Sequence, residues 1–193
     1  MNANDSQKER FIVSETATAF PVLGIAAWSG TGKTTLLTQL LPRLRQAGLN
    51  VGVIKHAHHE FDVDQPGKDS YELRSAGASP MLVASGKRFA LMQETPGQSE
   101  PDLNALLAMM HYHQPDLVIV EGFKAWPIPK LALYREDVGD ASLLEDTMLQ
   151  AAALESDSPI VLAPHVERLD LNDIEAIARW VISWVGTQPN SVV

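Results

Sequence analysis

Ala27-Trp28-Ser29-Gly30-Thr31-Gly32-Lys33-Thr34 follows directly on the apolar run Val22-Leu23-Gly24-Ile25-Ala26. The chemistry this order can do is to hold a phosphate. It is the phosphate-binding loop pattern, with Ala27 where the first glycine usually stands. Backbone N–H groups of Ser29 to Thr34 can curl around an anion, and the helix that follows aims its positive end at the same point. Gly30 and Gly32 permit backbone angles that a side chain would block. Lys33 has the reach for β- and γ-phosphates, and the Thr34 hydroxyl suits a Mg²⁺ ion. Alanine is small enough for the turn if it stays in the β region, so Ala27 is expected there.

A second candidate closes the segment Asp116-Leu117-Val118-Ile119-Val120-Glu121-Gly122. A buried strand ending in a carboxylate is what such a loop requires opposite Thr34, to hold the metal through water or to polarise an attacking water. The extra methylene of Glu121 favours a water-mediated or base role over direct ligation. In open parallel sheets ligands bind beyond the carboxyl ends of the strands, so Lys33 and Glu121 are expected to meet there.

The run His56-Ala57-His58-His59-Glu60-Phe61-Asp62-Val63-Asp64 carries three histidines and three acids. It suits a loop that closes on a triphosphate, with Asp62 or Asp64 completing the Mg²⁺ shell. A solvated polar loop and a transition-metal site through His56, His58 and His59 remain open alternatives. Ser156-Asp157 follows a late apolar run. An Asp in that place can accept from guanine N1 and N2, and it can equally be a turn residue before Pro159.

These residues need elements to position them. The apolar pattern predicts strands over 22–28, 51–55, 117–120, 130–134 and 160–163, with 148–154 open between helix and strand. Helices are expected over about 33–46, with Pro42 kinking or shortening it and Gly48 stopping it. A short helix over 70–76 has Asp69 and Glu72 as a capping pair and Gly77 as its stop. Another opens at Asp102. The last has Asn172 as cap, Ile174, Ile177, Ala178, Val181 and Val185 on one face, and Gly186 as stop. Residues 80–85 and 88–92, split by Gly86-Lys87, form a hairpin signal. Strands alternating with helices argue an α/β class with a mostly parallel sheet, here of the phosphate-binding-loop NTPase type with an antiparallel hairpin.

The 193 residues suit one nucleotide-binding domain over 21–187, with flexible segments 1–20 and 188–193. No linker-like composition interrupts it. The first 18 residues lack the apolar stretch of a signal peptide, and no run reaches the length of a membrane span. A net charge of −9 argues against nucleic acid as a partner. The absence of cysteine excludes disulfides and thiolate metal sites and suits a cytoplasmic protein.

The combination of Trp28 in the phosphate loop, Ile54-Lys55-His56-Ala57-His58-His59, the stretch Asp62 to Arg74, and Val120-Glu121-Gly122-Phe123-Lys124 resembles the molybdopterin-guanine dinucleotide biosynthesis adapter family, MobB. The resemblance spans about residues 22–185. It implies a homodimeric, Mg²⁺-dependent GTP-binding protein with weak GTPase activity. Such a protein assists the guanylyltransferase that joins GMP to molybdopterin and does not itself do the joining. The family's phosphate-binding residues map onto Ser29–Thr35, beside Trp28, its strand-end acid onto Glu121, and its late Ser-Asp onto Ser156-Asp157. Two other readings share the loop. One is a small-molecule kinase using Glu121 or Asp62 as base. The other is a metal-delivery GTPase with the histidines as ligands. A pure adapter would use the 80–92 hairpin to pair across a dimer.

Overall fold

The computed structural model describes residues 19–57 and 61–189. The described residues form two compact units, one from residues 19–56 with 102–189 and the other from residue 57 with 61–101. The larger unit is built on a six-stranded, all-parallel sheet in the order β2-β5-β1-β6-β7-β8. These strands are β1 (Val22–Ala27), β2 (Val51–Lys55), β5 (Leu117–Glu121), β6 (Lys130–Leu133), β7 (Leu149–Leu154) and β8 (Glu167–Asp170).

Both faces of the sheet are covered, and that is why its strands read as unbroken apolar runs rather than alternating ones. On one face Leu23, Ile25, Leu117, Ile119 and Leu131 pack with Leu36, Leu40 and Leu44 of α1 (Lys33–Gln46). Ile177, Val181 and Val185 of α4 (Ile174–Thr187) join the same cluster. On the other, Val22, Val118 and Val120 meet Leu103 and Leu107 of α3 (Leu103–His111), with Phe20, Phe123 and Trp126. Each fully buried leucine stabilises the fold by roughly 1.5–3 kcal/mol relative to an exposed one. Phe20 is therefore part of the core, one residue before the boundary expected at 21.

The strand order puts β1 between β5 and β6. The chain leaves β1 towards β2 and later passes from β5 across to β6, so the direction of winding reverses beside β1. A crevice opens at the carboxyl ends of the strands at such a switch point.

Several local expectations are corrected. The helix α1 does not end at Pro42 but continues through it to Gln46. Proline removes one hydrogen bond there, but the flanking Leu40 and Leu44 are completely buried and hold the helix on the sheet. Ile160 to Ala163 is not a strand. The carbonyl of Ile160 accepts from the Arg168 guanidinium, at 2.8 Å, and Val161 points to solvent. The strand lies instead at Glu167-Arg168-Leu169-Asp170, where only Leu169 is buried, as suits a charged edge strand. Asp173, not Asn172, caps α4 by accepting from Ala176 N at 2.8 Å. That helix continues through Gly186 to Thr187. Asp69 is the first residue of α2 (Asp69–Ser75) rather than its cap.

The unit at 57–101 consists of α2 and an antiparallel hairpin of β3 (Met81–Ala84) and β4 (Phe89–Met92). Arg74 ties it together by ion pairs to Asp62 and Glu94. His58, His59 and Glu60 lie outside the described residues, as do 1–18 and 190–193. Among the described residues no helix is long and apolar enough to cross a membrane.

Candidate phosphate-binding site

The site begins where β1 ends. Ala27 is the last strand residue and is buried, in ordinary extended backbone. Gly30 and Gly32 then take φ of 85° and 103°, the left-handed region. A Cβ at Gly32 would meet nothing within 4 Å, so its freedom serves the backbone path and not a packing contact. Gly32 is the N-cap of α1 and offers no side chain to that helix end. The first N–H groups of α1, from Lys33 and Thr34 onward, therefore point out of the helix with no intrahelical acceptor. This is the donor set and the dipole end that an anion requires.

Lys33 folds over the loop it follows. Its Nζ donates to the carbonyls of Trp28 and Ala27, at 2.9 and 3.2 Å. Thr31 is buried and donates its hydroxyl to Trp28 O at 2.9 Å, fixing the middle of the loop. Ser29, Thr34 and Thr35 are exposed at its rim.

Glu121 ends β5, whose register sets it opposite Ile25 of β1 and Lys55 of β2. Lys33 and Glu121 thus stand at the same edge of the sheet, close enough for Glu121 to act on the Lys33 ammonium. Burial holds the Lys33 ammonium below the usual lysine value. The Glu121 carboxylate opposes that shift, and the Lys124 and Lys55 charges add to it. Lys55 Nζ lies 4.0 Å from Glu121 Oε2.

Trp28 is fixed on two sides. Its Nε1 donates to Asp140 O at 2.9 Å, and the Lys124 ammonium sits 4.2 Å from the ring centroid. Gly139 passes so close that a Cβ there would lie 2.2 Å from the indole. Arg135 crosses the other side of the loop. It donates to Thr31 O at 3.3 Å and pairs with Glu155. Beside it a groove of about 330 Å³ is lined by Gly30, Thr35, Gln39, Arg135, Asn172 and their neighbours. A larger cleft, about 510 Å³, lies between the C-terminal half of α1 and α4, around the Arg43–Glu175 pair. Neither the phosphate-loop residues nor Glu121 line it.

Asp157 stands exposed in the turn after β7 and does not line the groove. That turn is held by its flanks: Glu155 pairs with Arg135, and Ser158 O accepts from Arg168 at 2.7 Å. Asp62 belongs to the other unit. Its oxygens accept from Asp64 N and from Arg74, and these bonds, the first foremost, hold its carboxyl below the usual carboxylate range. Among the described residues no three histidine or acidic side chains cluster as metal ligands, and His58 and His59 fall outside them.

Sequence reasoning missed the residues that dress the loop: Gly139 and Asp140 over Trp28, Arg135 against Thr31, and the buried Lys130. The last had a visible signal. A lysine opening the apolar run to Tyr134 is buried at 3%, and its Nζ pairs with Asp146 while donating to Lys124 O.

A glycine cradle at the switch point of a parallel sheet, with a lysine behind it and a strand-end acid beside it, defines a protein of the phosphate-binding-loop NTPase architecture. The family model described as molybdopterin guanine dinucleotide synthesis protein B matches residues 22–157, and the chain belongs to that family. It is 47% identical over 171 residues to the molybdopterin-guanine dinucleotide biosynthesis adapter protein of Escherichia coli, covering 89% of this chain and 97% of that one. The Haemophilus influenzae adapter is 39% identical over 165 residues, covering 86% and 89%. The crystal structure of Bacillus subtilis MobB superposes with a TM-score of 0.70 at 23% identity, over 88% of this chain and all of that one, a likeness of fold.

Proposed function

We propose that this chain is a Mg²⁺-dependent GTP-binding adapter with at most weak GTPase activity. In this reading it is a cytoplasmic homodimer that assists the guanylyltransferase attaching GMP to molybdopterin. Membership of an adapter family in molybdenum-cofactor biosynthesis supports the pathway. One observation carries the nucleotide: Lys33, the left-handed Gly30 and Gly32, and Glu121 converge at one edge of the sheet.

The donor set fits the group. N–H groups of residues 29–34 bind phosphate oxygens, and Lys33 exchanges its two carbonyl partners for the β- and γ-phosphates. Thr34 and Glu121 are oxygen donors suited to Mg²⁺. When bound, that ion would neutralise phosphate charge. Asp62, also a candidate ligand, has both oxygens engaged within its own unit. In this reading Asp157, exposed on its pinned turn after β7 and outside the groove, is the reader of the guanine edge.

Slow hydrolysis follows from what the arginines do. Arg135 is committed to Glu155, and Arg74 to Asp62 and Glu94. Neither stands ready as a transition-state finger, and the same commitment weighs against the kinase reading.

Calorimetric titration with GTP and with ATP, each with Mg²⁺, tests the proposal. GTP should bind more tightly than ATP, and Lys33→Ala should weaken it by at least 100-fold, from the loss of several charge-assisted bonds. Equal or tighter ATP binding would move the reading to a kinase.

A further inference from the structure

The positive charge at this site exceeds what one phosphate-loop lysine supplies. Lys33, Lys55 and Lys124 are close enough that the last two each disfavour the charge on the first. Two carboxylates stand near them: Glu121, already within 4.0 Å of Lys55, and Asp140, which feels the Lys124 charge. Three lysines against these two carboxylates leave positive charge at the glycine cradle of a chain whose net charge is −9, and an anion bound there would offset it.

Lys124 is the most deliberately placed of the three. It lies three residues beyond Glu121, on a segment anchored from below. Its carbonyl accepts from the buried Lys130 Nζ at 2.9 Å, and Lys130 is itself paired with Asp146. Its ammonium rests on the face of Trp28, a residue of the phosphate loop. An aromatic face holds a cation in place without cancelling its charge, unlike a carboxylate partner. Among the described residues Lys124 has no carboxylate oxygen within 4.0 Å, and only the longer-range pull of Asp140 acts on its charge, so the ammonium on the indole keeps its donors for another partner.

We propose that Lys124 is a second phosphate-binding cation of this site. Seated on the Trp28 ring at the β5 side of the loop, it contacts the terminal phosphate of a nucleoside triphosphate, and its contact lets the site distinguish triphosphate from diphosphate. This rests on the nucleotide-binding reading above.

The test is calorimetry on the full chain with a non-hydrolysable GTP analogue and with GDP, both with Mg²⁺. The parent, Lys33→Ala, Lys124→Ala and Lys124→Arg are compared. Lys124→Ala should weaken the analogue about tenfold and GDP less than about twofold, the size of one charge-assisted hydrogen bond. Lys124→Arg, which keeps both charge and stacking, should restore most of the difference. Tryptophan emission gives a separate readout. The analogue should change it in the parent, and both Lys124→Ala and Trp28→Phe should lose most of that change. An unchanged triphosphate-to-diphosphate ratio in Lys124→Ala, alongside lost binding in Lys33→Ala, overturns this proposal and leaves the nucleotide site standing. A parent chain that binds neither nucleotide overturns both.

Discussion

The two units are stabilised by opposite means. In the parallel-sheet unit β1 is buried along its whole length, and leucines such as Leu23, Leu40, Leu117 and Leu131 are fully enclosed. Among the described residues of 61–101 none is buried. There Leu73, Leu82, Phe89 and Leu91 are each about half exposed, and Arg74 with its two carboxylates supplies the cross-ties. The first unit has the rigidity that a phosphate cradle needs, since positions held by close packing do not drift. The second displays apolar surface on a two-stranded ribbon, which is marginal alone and suited to meeting another surface. In the adapter reading, one part holds the ligand and the other presents a face.

Removing core volume should expose this contrast most strongly. Leu131→Ala should cost about 3 kcal/mol and lower the thermal midpoint by roughly 10 °C. A loss below about 1 kcal/mol would mean that the sheet is far less tightly packed than its burial indicates. Leu82→Ser with Leu91→Ser changes a directly opposed cross-strand pair on the exposed hairpin. Stability of the sheet unit should move by no more than about 0.5 kcal/mol. Sedimentation should nevertheless show a shift from dimer to monomer, if the hairpin is the homodimer's contact. An unchanged dimer would take that role away from it.

Acid should separate the units more gently. Asp62 is held below its usual value, so its stabilising contribution is complete above about pH 4, the ordinary aspartate range. It is lost as pH falls through the lower folded value. Amide exchange across α2 and the hairpin should rise below pH 4 ahead of exchange in β1 and β5. Simultaneous loosening of both units would show that Asp62 does not govern the smaller one.

Much of this was readable in the chain. The phosphate loop, α1, β1 and β5 are continuous patterns whose periodicity and glycines specify local geometry. The hairpin and the Asp102 cap were equally visible, the latter accepting from Asn104 N as a cap should. What escaped were elements whose identity depends on distant partners. Glu167 to Asp170 has one apolar residue and becomes a strand only because β7 pairs with it. Ile160 to Ala163 is apolar enough for a strand, yet Arg168 takes the Ile160 carbonyl and, just before the segment, that of Ser158. The site divides the same way. Lys33 and Glu121 announce themselves by motif, whereas Gly139 against Trp28 is a contact between segments far apart in sequence, and the burial of Lys130 beneath Lys124 depends on its pairing with Asp146.

The strand order has a consequence for the order of events at the ribosome. β1 is the central, most apolar strand, and its partners β5 and β6 lie about a hundred residues downstream. At roughly 5–20 residues per second, Val22–Ala27 waits about 5–20 s for the first of them to be synthesised. Bridging so long a gap slows pairing more than it weakens the finished sheet. During that interval the strand that leads into the glycine loop is an apolar, unpaired stretch of nascent chain, the kind of segment that a chaperone covers.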